Sequence, residues 1–243
     1  MTEAGPYPTP RYLPSGDAAM TVEFGNAVAA EINERVLALD AAMAAAAIPG
    51  VVETIPTYRS LFVQYDPVAV DFDALRTQIE ALDTGRRTAA IGRRWTFPVC
   101  YGGIHGIDLD DVAHRHDLPV EAAIAIHLAG EYRVYMIGFT PGFAYLGGLD
   151  PRLHTPRHPT PRLRIPANSV GLGGVQAGIT SIPVPSGWHL LGRTPARMFD
   201  LRRNDPFLLR PGDRVRFERI DAAAFDRLDR EAEEGNIVAT CQE

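Results

Sequence analysis

Five arginine side chains could bind an anion, because they fall in one short stretch with almost no acid. Residues 138–195 hold these arginines against the single acid Asp150, in a chain whose formal net charge is -6. A guanidinium group presents several N–H donors in one plane, which matches the oxygens of a carboxylate or phosphate. We predict that two of them, Arg162 and Arg164, clamp a substrate anion; the alternative is an ordinary solvated face. The five are Arg152, Arg157, Arg162, Arg164 and Arg193.

Aromatic and amide side chains in the same stretch predict the mouth of a ligand pocket. Residues 140–143 read Thr-Pro-Gly-Phe, which is typical of a turn, so Thr140, Phe143 and Tyr145 are predicted to contact the ligand. Gln176 is a long amide among glycines, and a polar group in such a place commonly orients a ligand. The sequence therefore predicts a small-molecule site that combines aromatic, amide and guanidinium groups.

His127 is the candidate proton acceptor. Val120, Ile124 and Leu128 share one face of a predicted helix that leads directly towards the arginine-rich stretch. Glu131, one turn after His127, would hold the ring as a general base. The alternative is a histidine that is stabilised by the negative end of the helix dipole.

A metal site is not expected from the histidine spacing. His154 and His158 are four residues apart, a spacing that binds metal when both residues lie on a helix. Pro156 and Pro159 make a helix unfavourable there, and no cysteine or acid cluster is adjacent in the sequence. We therefore predict no metal ligands in this chain.

The composition excludes several kinds of active site. All 24 residues in the Lys+Arg count are arginine, so a lysine Schiff base, a P-loop lysine and a Ser–Lys centre are impossible. Gln176 occupies the last glycine position of a would-be dinucleotide fingerprint, which excludes that motif. No Gly-x-Ser-x-Gly elbow is present.

The cysteine count and the first residues predict a cytoplasmic protein. Cys100 and Cys241 are far apart in the sequence, which predicts a reducing compartment and no disulfide framework. The first 14 residues contain an acid and several prolines instead of an apolar segment, so no signal peptide is expected.

Hydrophobic periodicity predicts an α+β fold with a small N-terminal domain at residues 1–90. The order is strand, helix, strand, strand, helix, which is most of a ferredoxin-like split βαβ unit. Residues 1–14 are predicted to be a flexible or extended arm. The predicted elements are strand 20–24, helix 28–43, strands 51–56 and 60–65, and a helix capped near Asp71.

The second predicted domain, residues 91–243, has many short strands separated by glycine and proline. Such a pattern favours a closed or nearly closed β-barrel. Phe139 and Trp188 are assigned to its packed core. Phe207–Leu209 and Val215–Phe217 are predicted to be closing strands, and residues 222–234 a terminal helix.

Several long motifs resemble the family of 5-oxoprolinase B subunits, which is also called allophanate hydrolase subunit 1 and sporulation-kinase inhibitor. The resemblance extends from about Tyr12 to Phe217. The motifs are Gly-Phe-Thr-Pro-Gly-Phe-Ala-Tyr-Leu-Gly at 138–147, Thr-Pro-Arg-Leu-Arg-Ile-Pro at 160–166, Gly-Trp at 187–188 and Gly-Arg-Thr-Pro at 192–195, with Pro-Val-Cys-Tyr-Gly at 98–102 upstream.

The resemblance implies a cyclophilin-like β-barrel for the second domain, after the small ferredoxin-like domain. It also implies partners, the C and A subunits of 5-oxoprolinase, without a nucleic acid or membrane partner. Together these subunits would open 5-oxo-L-proline to L-glutamate with ATP, accompanied by Mg²⁺, and this chain would be inactive alone. The lactam is a poor electrophile, so phosphorylation of its oxygen would make attack by water feasible.

Two other functions remain open at this point: a binding module that inhibits a sensor histidine kinase, and an accessory subunit of an allophanate hydrolase-like enzyme. Some positions also depart from the family pattern, which leaves the substrate open. They are Ile104-His105, Ala144, Thr180-Ser181 and Ser186.

An apolar run after the predicted turn suggests where a partner docks. Phe143, Tyr145, Leu146 and Leu149 are expected to be exposed because they follow a loop, and exposed apolar patches mark interfaces. We predict that the C subunit docks beside the cleft and brings Arg162 near the shared boundary.

Overall fold

A computed structural model describes residues 4–82 and 92–242 of the chain. The chain divides into two compact units between Ile91 and Gly92. The outcome is the predicted α+β fold, with one small open sheet and one closed barrel.

The N-terminal unit is a four-stranded antiparallel sheet with two helices. Its sheet order is β1-β2-β4-β3. The strands are β1 (Pro6–Pro14), β2 (Ala19–Gly25), β3 (Val51–Pro56) and β4 (Ser60–Tyr65), and the helices are α1 (Ala30–Ala46) and α2 (Phe72–Glu80). All elements expected from the periodicity are present.

The N-terminal arm is extended, one of the two predicted alternatives, and it also pairs with the sheet, which the sequence did not predict. Residues 6–14 form edge strand β1, which pairs with β2 from Pro6↔Gly25 to Pro14↔Met20. Its four prolines are unfavourable for a strand, yet an edge strand tolerates proline because one side of it needs no hydrogen bonds.

The core of the N-terminal unit lies between α1 and the sheet. Ile32, Val36, Leu39 and Met43 recur at three- and four-residue steps, and all four are buried against strand residues such as Val63. At the start of α2, the Asp71 carboxylate accepts a hydrogen bond from the Ala74 N–H at 2.8 Å, as expected for an N-cap.

The C-terminal unit is a closed seven-stranded barrel. The ring runs β12-β9-β10-β7-β6-β13-β5 and closes where β12 pairs with β5, while β14 adds to the β5 edge. The ring strands are β5 (Arg94–Tyr101), β6 (Tyr132–Ile137), β7 (Ala144–Gly147), β9 (Ser169–Gly173), β10 (Gln176–Ile179), β12 (His189–Arg193) and β13 (Arg214–Ile220); β14 is Thr240–Gln242.

A small separate pair of strands, three α-helices and a short 3-10 helix at Pro151–Leu153 complete the described part of this unit. Strands β8 (Arg162–Ile165) and β11 (Val184–Ser186) pair with each other outside the barrel. The helices are α3 (Leu109–Arg115), α4 (Val120–Ala129) and α5 (Ala222–Glu233). Phe207 makes one isolated bridge to Phe199, so the predicted closing strand at 207–209 was wrong.

A glycine stands where β12 meets β5 and the barrel closes. Gly192 of β12 lies against β5, where an added Cβ would stand 2.6 Å from the Cys100 carbonyl oxygen. Any side chain there would force the strands apart. No helix in the described part of the chain is long and apolar enough to span a bilayer.

Candidate functional site

A cavity of about 190 Å³ opens beside β7, β8 and β11; we call it the aromatic pocket. Its volume lies below the roughly 300 Å³ at which sites for drug-sized ligands begin, so it suits a small molecule. The side chains that give it chemical character are Phe139, Phe143, Tyr145, Arg157, His158 and Trp188.

The wall of the aromatic pocket is a set of ring contacts. The rings of Phe143 and Trp188 meet edge to face, with centroids 5.7 Å apart and an 82° interplanar angle. Tyr145 lies 4.5 Å from Phe143 and 5.9 Å from Trp188. Because Phe143 and Trp188 are buried and Tyr145 is half-buried, this wall is a fixed apolar surface.

Glycines make the room that the indole ring occupies. An added Cβ at Gly173 would lie 2.6 Å from Trp188 Cε2, and one at Gly178 would lie 2.8 Å from Trp188 Cζ3. These glycines belong to neighbouring strands β9 and β10, so the ring packs directly on the barrel backbone. Larger residues at either position would push the indole into the pocket.

The turn that carries Phe139 and Phe143 contains unusual backbone geometry. Phe139 has φ 68°, a left-handed conformation that a bulky residue rarely adopts, and its side chain is 67% exposed. The turn is closed by hydrogen bonds from Phe143 N–H to Thr140 and from Gly138 N–H to Phe143. The assignment of Phe139 to the core was therefore wrong, since this backbone directs its ring to the pocket rim.

Arg157 is the cation at the pocket. Its guanidinium carbon lies 5.4 Å from the centroid of the Trp188 ring, within the range of a cation–π contact. Within residues 4–82 and 92–242, Arg157 makes no ion pair and its side chain is exposed. Its N–H donors are therefore available to an anion.

Asp108, His158, Arg162 and His189 form a buried polar cluster next to the aromatic pocket. Asp108 accepts two hydrogen bonds from Arg162, Nη1 to Oδ2 at 2.9 Å and Nη2 to Oδ1 at 2.5 Å. It also accepts one from the Leu190 N–H at 2.8 Å, while its own N–H donates to the Leu190 carbonyl. Burial alone would raise the pKa of Asp108, but these donors outweigh it and hold the pKa below its usual range.

The two histidines of the cluster stack on each other. The ring centroids of His158 and His189 are 3.8 Å apart, and His158 Nε2 lies 3.6 Å from Asp108 Oδ1. His189 is held by a hydrogen bond of 2.9 Å between its Nε2 and the Pro156 carbonyl. Burial lowers the pKa of His189.

The structure separates the predicted substrate residues into two groups. Phe143 and Tyr145 line the aromatic pocket. Arg162 lies in the buried polar cluster, where Asp108 already occupies its guanidinium group. The other three lie outside the pocket lining and stay predicted contacts: Thr140, 3.3 Å from the Ser181 hydroxyl; Arg164, exposed on β8; and Gln176, half-buried at the start of β10.

His127 lies in the barrel core. It is fully buried, stacks on Phe217 at 4.8 Å, and its Nδ1 lies 2.8 Å from the Tyr101 hydroxyl. Burial lowers the pKa of His127 to about 3. Glu131, the expected carboxylate partner, instead pairs with Arg216 at the surface. The general-base role stays a prediction, and this environment favours a packing role.

The expected exposed apolar run is buried. Phe143, Leu146 and Leu149 are each less than 7% exposed, since Leu146 lies in barrel strand β7 at residues 144–147 and the other two flank it. The prediction of a loop-borne apolar patch was therefore wrong for these three side chains. The large exposed apolar side chains between residues 138 and 195 are Phe139, Leu163, Val175 and Ile182.

Sequence reasoning misses most of the buried polar cluster. Asp108 directly precedes α3, but its carboxylate makes no cap hydrogen bond and faces Arg162. The spacing pairs His158 with His154, whereas its spatial neighbour is His189, 31 residues later. Sequence spacing does not predict such a contact, because only strand pairing and a loop bring these residues together. Arg157 is one of five similar arginines in the sequence, where nothing distinguishes it.

One departure from the family pattern falls in the pocket. Ser186 lines the aromatic pocket, and its hydroxyl accepts a hydrogen bond of 3.1 Å from the Trp188 N–H. It therefore fixes the backbone next to the indole. Thr180, another departure, uses its hydroxyl to join β10 to Ser169 and lies outside the pocket.

Comparison with known proteins identifies relatives over most of the chain. The family described as "Carboxyltransferase domain, subdomain C and D" matches residues 10–209. The 5-oxoprolinase B subunit of Bacillus subtilis (strain 168) is 42% identical over 217 residues, covering 84% of this chain and 90% of that protein. The protein of the same name from Escherichia coli O157:H7 is 39% identical, covering 83% and 92%.

Solved structures share the fold. The crystal structure of TTHA0988 superposes with a TM-score of 0.77 at 42% identity, covering 84% of this chain but only 40% of that longer chain. Kluyveromyces lactis urea carboxylase superposes with a TM-score of 0.78 at 19% identity, covering 98% of this chain and 25% of that one. The second likeness shows the fold alone.

Proposed function

The chain belongs to the family of 5-oxoprolinase B subunits, and we propose that it is the B subunit of an ATP-dependent complex that hydrolyses 5-oxo-L-proline to L-glutamate. The observation that carries this proposal is the 42% identity to the Bacillus subtilis protein across 90% of its length. The chain is proposed to be inactive alone and to act in the cytoplasm.

The aromatic pocket supports a small cyclic carboxylate as the ligand. A five-membered lactam has apolar ring faces, which suit the wall of Phe143, Tyr145 and Trp188. Its carboxylate requires a cation, and Arg157 at the same cavity forms no ion pair with any residue that the structure describes. Arg162, proposed from sequence for this role, is better placed to hold Asp108.

ATP is proposed to activate the lactam by phosphorylating its oxygen, with Mg²⁺ bound to the nucleotide. ADP leaves in this step. Water then attacks the carbon and the C–N bond breaks, which leaves γ-glutamyl phosphate; a second water hydrolyses this acyl phosphate to phosphate and glutamate. The nucleotide site is assigned to the complex as a whole. In this chain, the pocket would orient the ring and exclude water from its apolar faces.

The C and A subunits of 5-oxoprolinase are the proposed partners. In TTHA0988 the region that matches this chain makes up only 40% of a longer chain. This supports the proposal that the present chain acts together with further polypeptide. Phe139 and Leu163 are 67% and 92% exposed, and both lie on segments that border the aromatic pocket. We propose that the C subunit packs over these side chains and closes the pocket.

The test is reconstitution of the three subunits and measurement of glutamate released from 5-oxoproline with and without ATP. We expect release to require ATP and to disappear when this chain is omitted. Undiminished release without this chain would contradict the proposal. Phe139→Ser with Leu163→Ser should weaken co-purification with the C subunit, while Val68→Ser, a 93% exposed residue of the N-terminal unit, serves as the matched control.

A further inference from the structure

Three metal-ligating side chains converge in the buried polar cluster, although they are far apart in sequence. One ligand atom from each of Asp108, His158 and His189 lies within 4.8 Å of the others. Asp108 is 2% exposed and His189 is 1% exposed. Two imidazoles and one carboxylate are a donor set suited to first-row transition metals. We propose that this triad binds a divalent transition-metal ion such as Zn²⁺.

The hydrogen bond of His189 sets the orientation that a metal ligand needs. A carbonyl oxygen only accepts, so the contact of 2.9 Å to Pro156 means that His189 Nε2 carries the proton and donates it. In the neutral tautomer that donates this bond, Nδ1 holds a lone pair, and it is buried without a hydrogen-bond partner in the described chain. Metal-bound histidines commonly donate their other N–H to a backbone carbonyl in this way.

His158 supplies a second nitrogen without a partner. Its Nε2 is also buried and lacks a hydrogen bond within the described residues, and it faces Asp108 Oδ1 across 3.6 Å. The backbone of His158 is fixed, because its N–H donates to the Gly187 carbonyl at 2.7 Å. Two buried imidazole nitrogens therefore lie beside the same carboxylate, and a bound cation would satisfy both.

Asp108 retains one acceptor position for a cation. Its Oδ2 accepts from Arg162 and from Leu190, whereas Oδ1 accepts only from Arg162 among the described residues. A carboxylate oxygen has two lone pairs, so one on Oδ1 is left for a metal. Arg162 and Leu190 keep the carboxylate ionised and oriented, the role that outer hydrogen bonds have around metal ligands.

Binding requires one local movement. The two rings are stacked with a 35° interplanar angle, and metal–nitrogen bonds are about 2.0–2.1 Å long. The imidazoles must therefore rotate apart from the stack so that both lone pairs point to one position. His158 is the ring that can turn, since it is half-buried and no side-chain hydrogen bond holds it within the described residues.

The test is direct metal binding to the full chain after chelator treatment, and it does not depend on the proposed enzymatic function. Zn²⁺ is titrated by calorimetry, and Co²⁺ is followed by its visible absorption. We expect one equivalent to bind with micromolar or tighter affinity, and His158→Asn and His189→Asn each to weaken it at least ten-fold. Mg²⁺ should not compete, because it prefers oxygen ligands.

His154→Asn is the matched control, because this histidine contacts the Leu149 carbonyl outside the triad and should leave binding unchanged. His158→Asn is the informative variant if His189→Asn fails to fold, since His158 is less buried. The proposal is overturned if the wild-type chain binds no Zn²⁺ at micromolar concentration, or if His158→Asn binds as tightly as the wild type.

Discussion

Two buried histidine environments in the barrel unit differ in what surrounds them. His127 lies among aromatic rings, with Tyr101 on one nitrogen and Phe217 stacked on its face. His189 lies beside a second imidazole and a carboxylate. Both residues have a buried ring nitrogen without a partner in the described chain, Nε2 in His127 and Nδ1 in His189.

The difference teaches that an unpartnered nitrogen does not define a site by itself. Around His127 the neighbours are rings, which offer nothing to a ligand and disfavour the charged imidazolium. Around His189 the neighbours are further donor groups, and Arg162 compensates the charge of Asp108. In the sequence, a position on a helix that leads to the arginine-rich stretch favours His127 as a functional residue. In the structure, the convergence of donor groups favours His189.

The largest expected effect concerns the pH dependence of stability at His127. Its folded pKa is about 3, below the ordinary value of 6.5, so the unfolded chain takes up this proton first as pH falls. The stabilisation is complete above pH 6.5 and is lost as pH falls towards 3. At 1.36 kcal/mol per pH unit, about 3 kcal/mol is lost by pH 4.

Urea unfolding between pH 7 and 4 measures this loss. The matched control is Tyr101→Phe with His127→Leu, which removes the histidine and its hydroxyl partner together. We expect a shallower decline of the free energy of unfolding in the double variant. Identical slopes would show that His127 is accessible to protons in the folded barrel, as a general base must be.

The next effect concerns the carboxylate of the buried polar cluster. Asp108→Asn removes the charge that holds Arg162 and leaves partly buried donors poorly matched, so we expect a loss of about 2 kcal/mol in the free energy of unfolding. Asp150→Asn is the control, because its partner Arg152 is exposed and surface pairs contribute little. If both variants lose the same free energy of unfolding, Asp108 contributes no more to stability than a surface carboxylate does.

The smallest expected effect distinguishes the role of Arg157 from that of Arg162. Arg157→Gln should lower kcat/KM of the reconstituted complex about ten-fold, near 1.4 kcal/mol, through a higher KM for 5-oxoproline and an unchanged unfolding midpoint. Arg162→Gln should instead shift the midpoint, because it breaks the pair with Asp108. A stable Arg162→Gln variant with a raised KM would restore the original assignment of Arg162 as the clamp.

Local patterns predict the N-terminal unit well for a physical reason. The stripe from Ile32 to Met43 and the cap at Asp71 are encoded within one or two turns of the chain. Local patterns do not predict strand β1, because its proline-rich composition is unfavourable for a strand and its pairing with β2 holds it in the sheet. The glycine and proline turns of the second unit predict a β-barrel. Of the residues that line the aromatic pocket, the sequence predicts Phe143 and Tyr145.

The rest of the site depends on contacts between distant segments. Asp108 reaches β12 through Leu190, and Arg162 comes to Asp108 from 54 residues later. A cation that looks free in the sequence can thus be paired in the fold, as Arg162 is, and only the closed barrel distinguishes it from Arg157. The same closure buries Leu146 and Leu149, for which the sequence predicts an exposed loop.

Strand β5 has a consequence for the order in which the protein is made. It pairs with β12, β13 and β14, all of which follow it in the chain, and the contact of Arg93 with Asp213 at its entrance spans 120 residues. A nascent chain emerging from the ribosome therefore carries an unpaired β5 until its last third is translated, whereas the N-terminal unit has all its strands by Tyr65. A ribosome stalled before residue 214 would hold a folded first unit followed by an open, chaperone-accessible sheet edge.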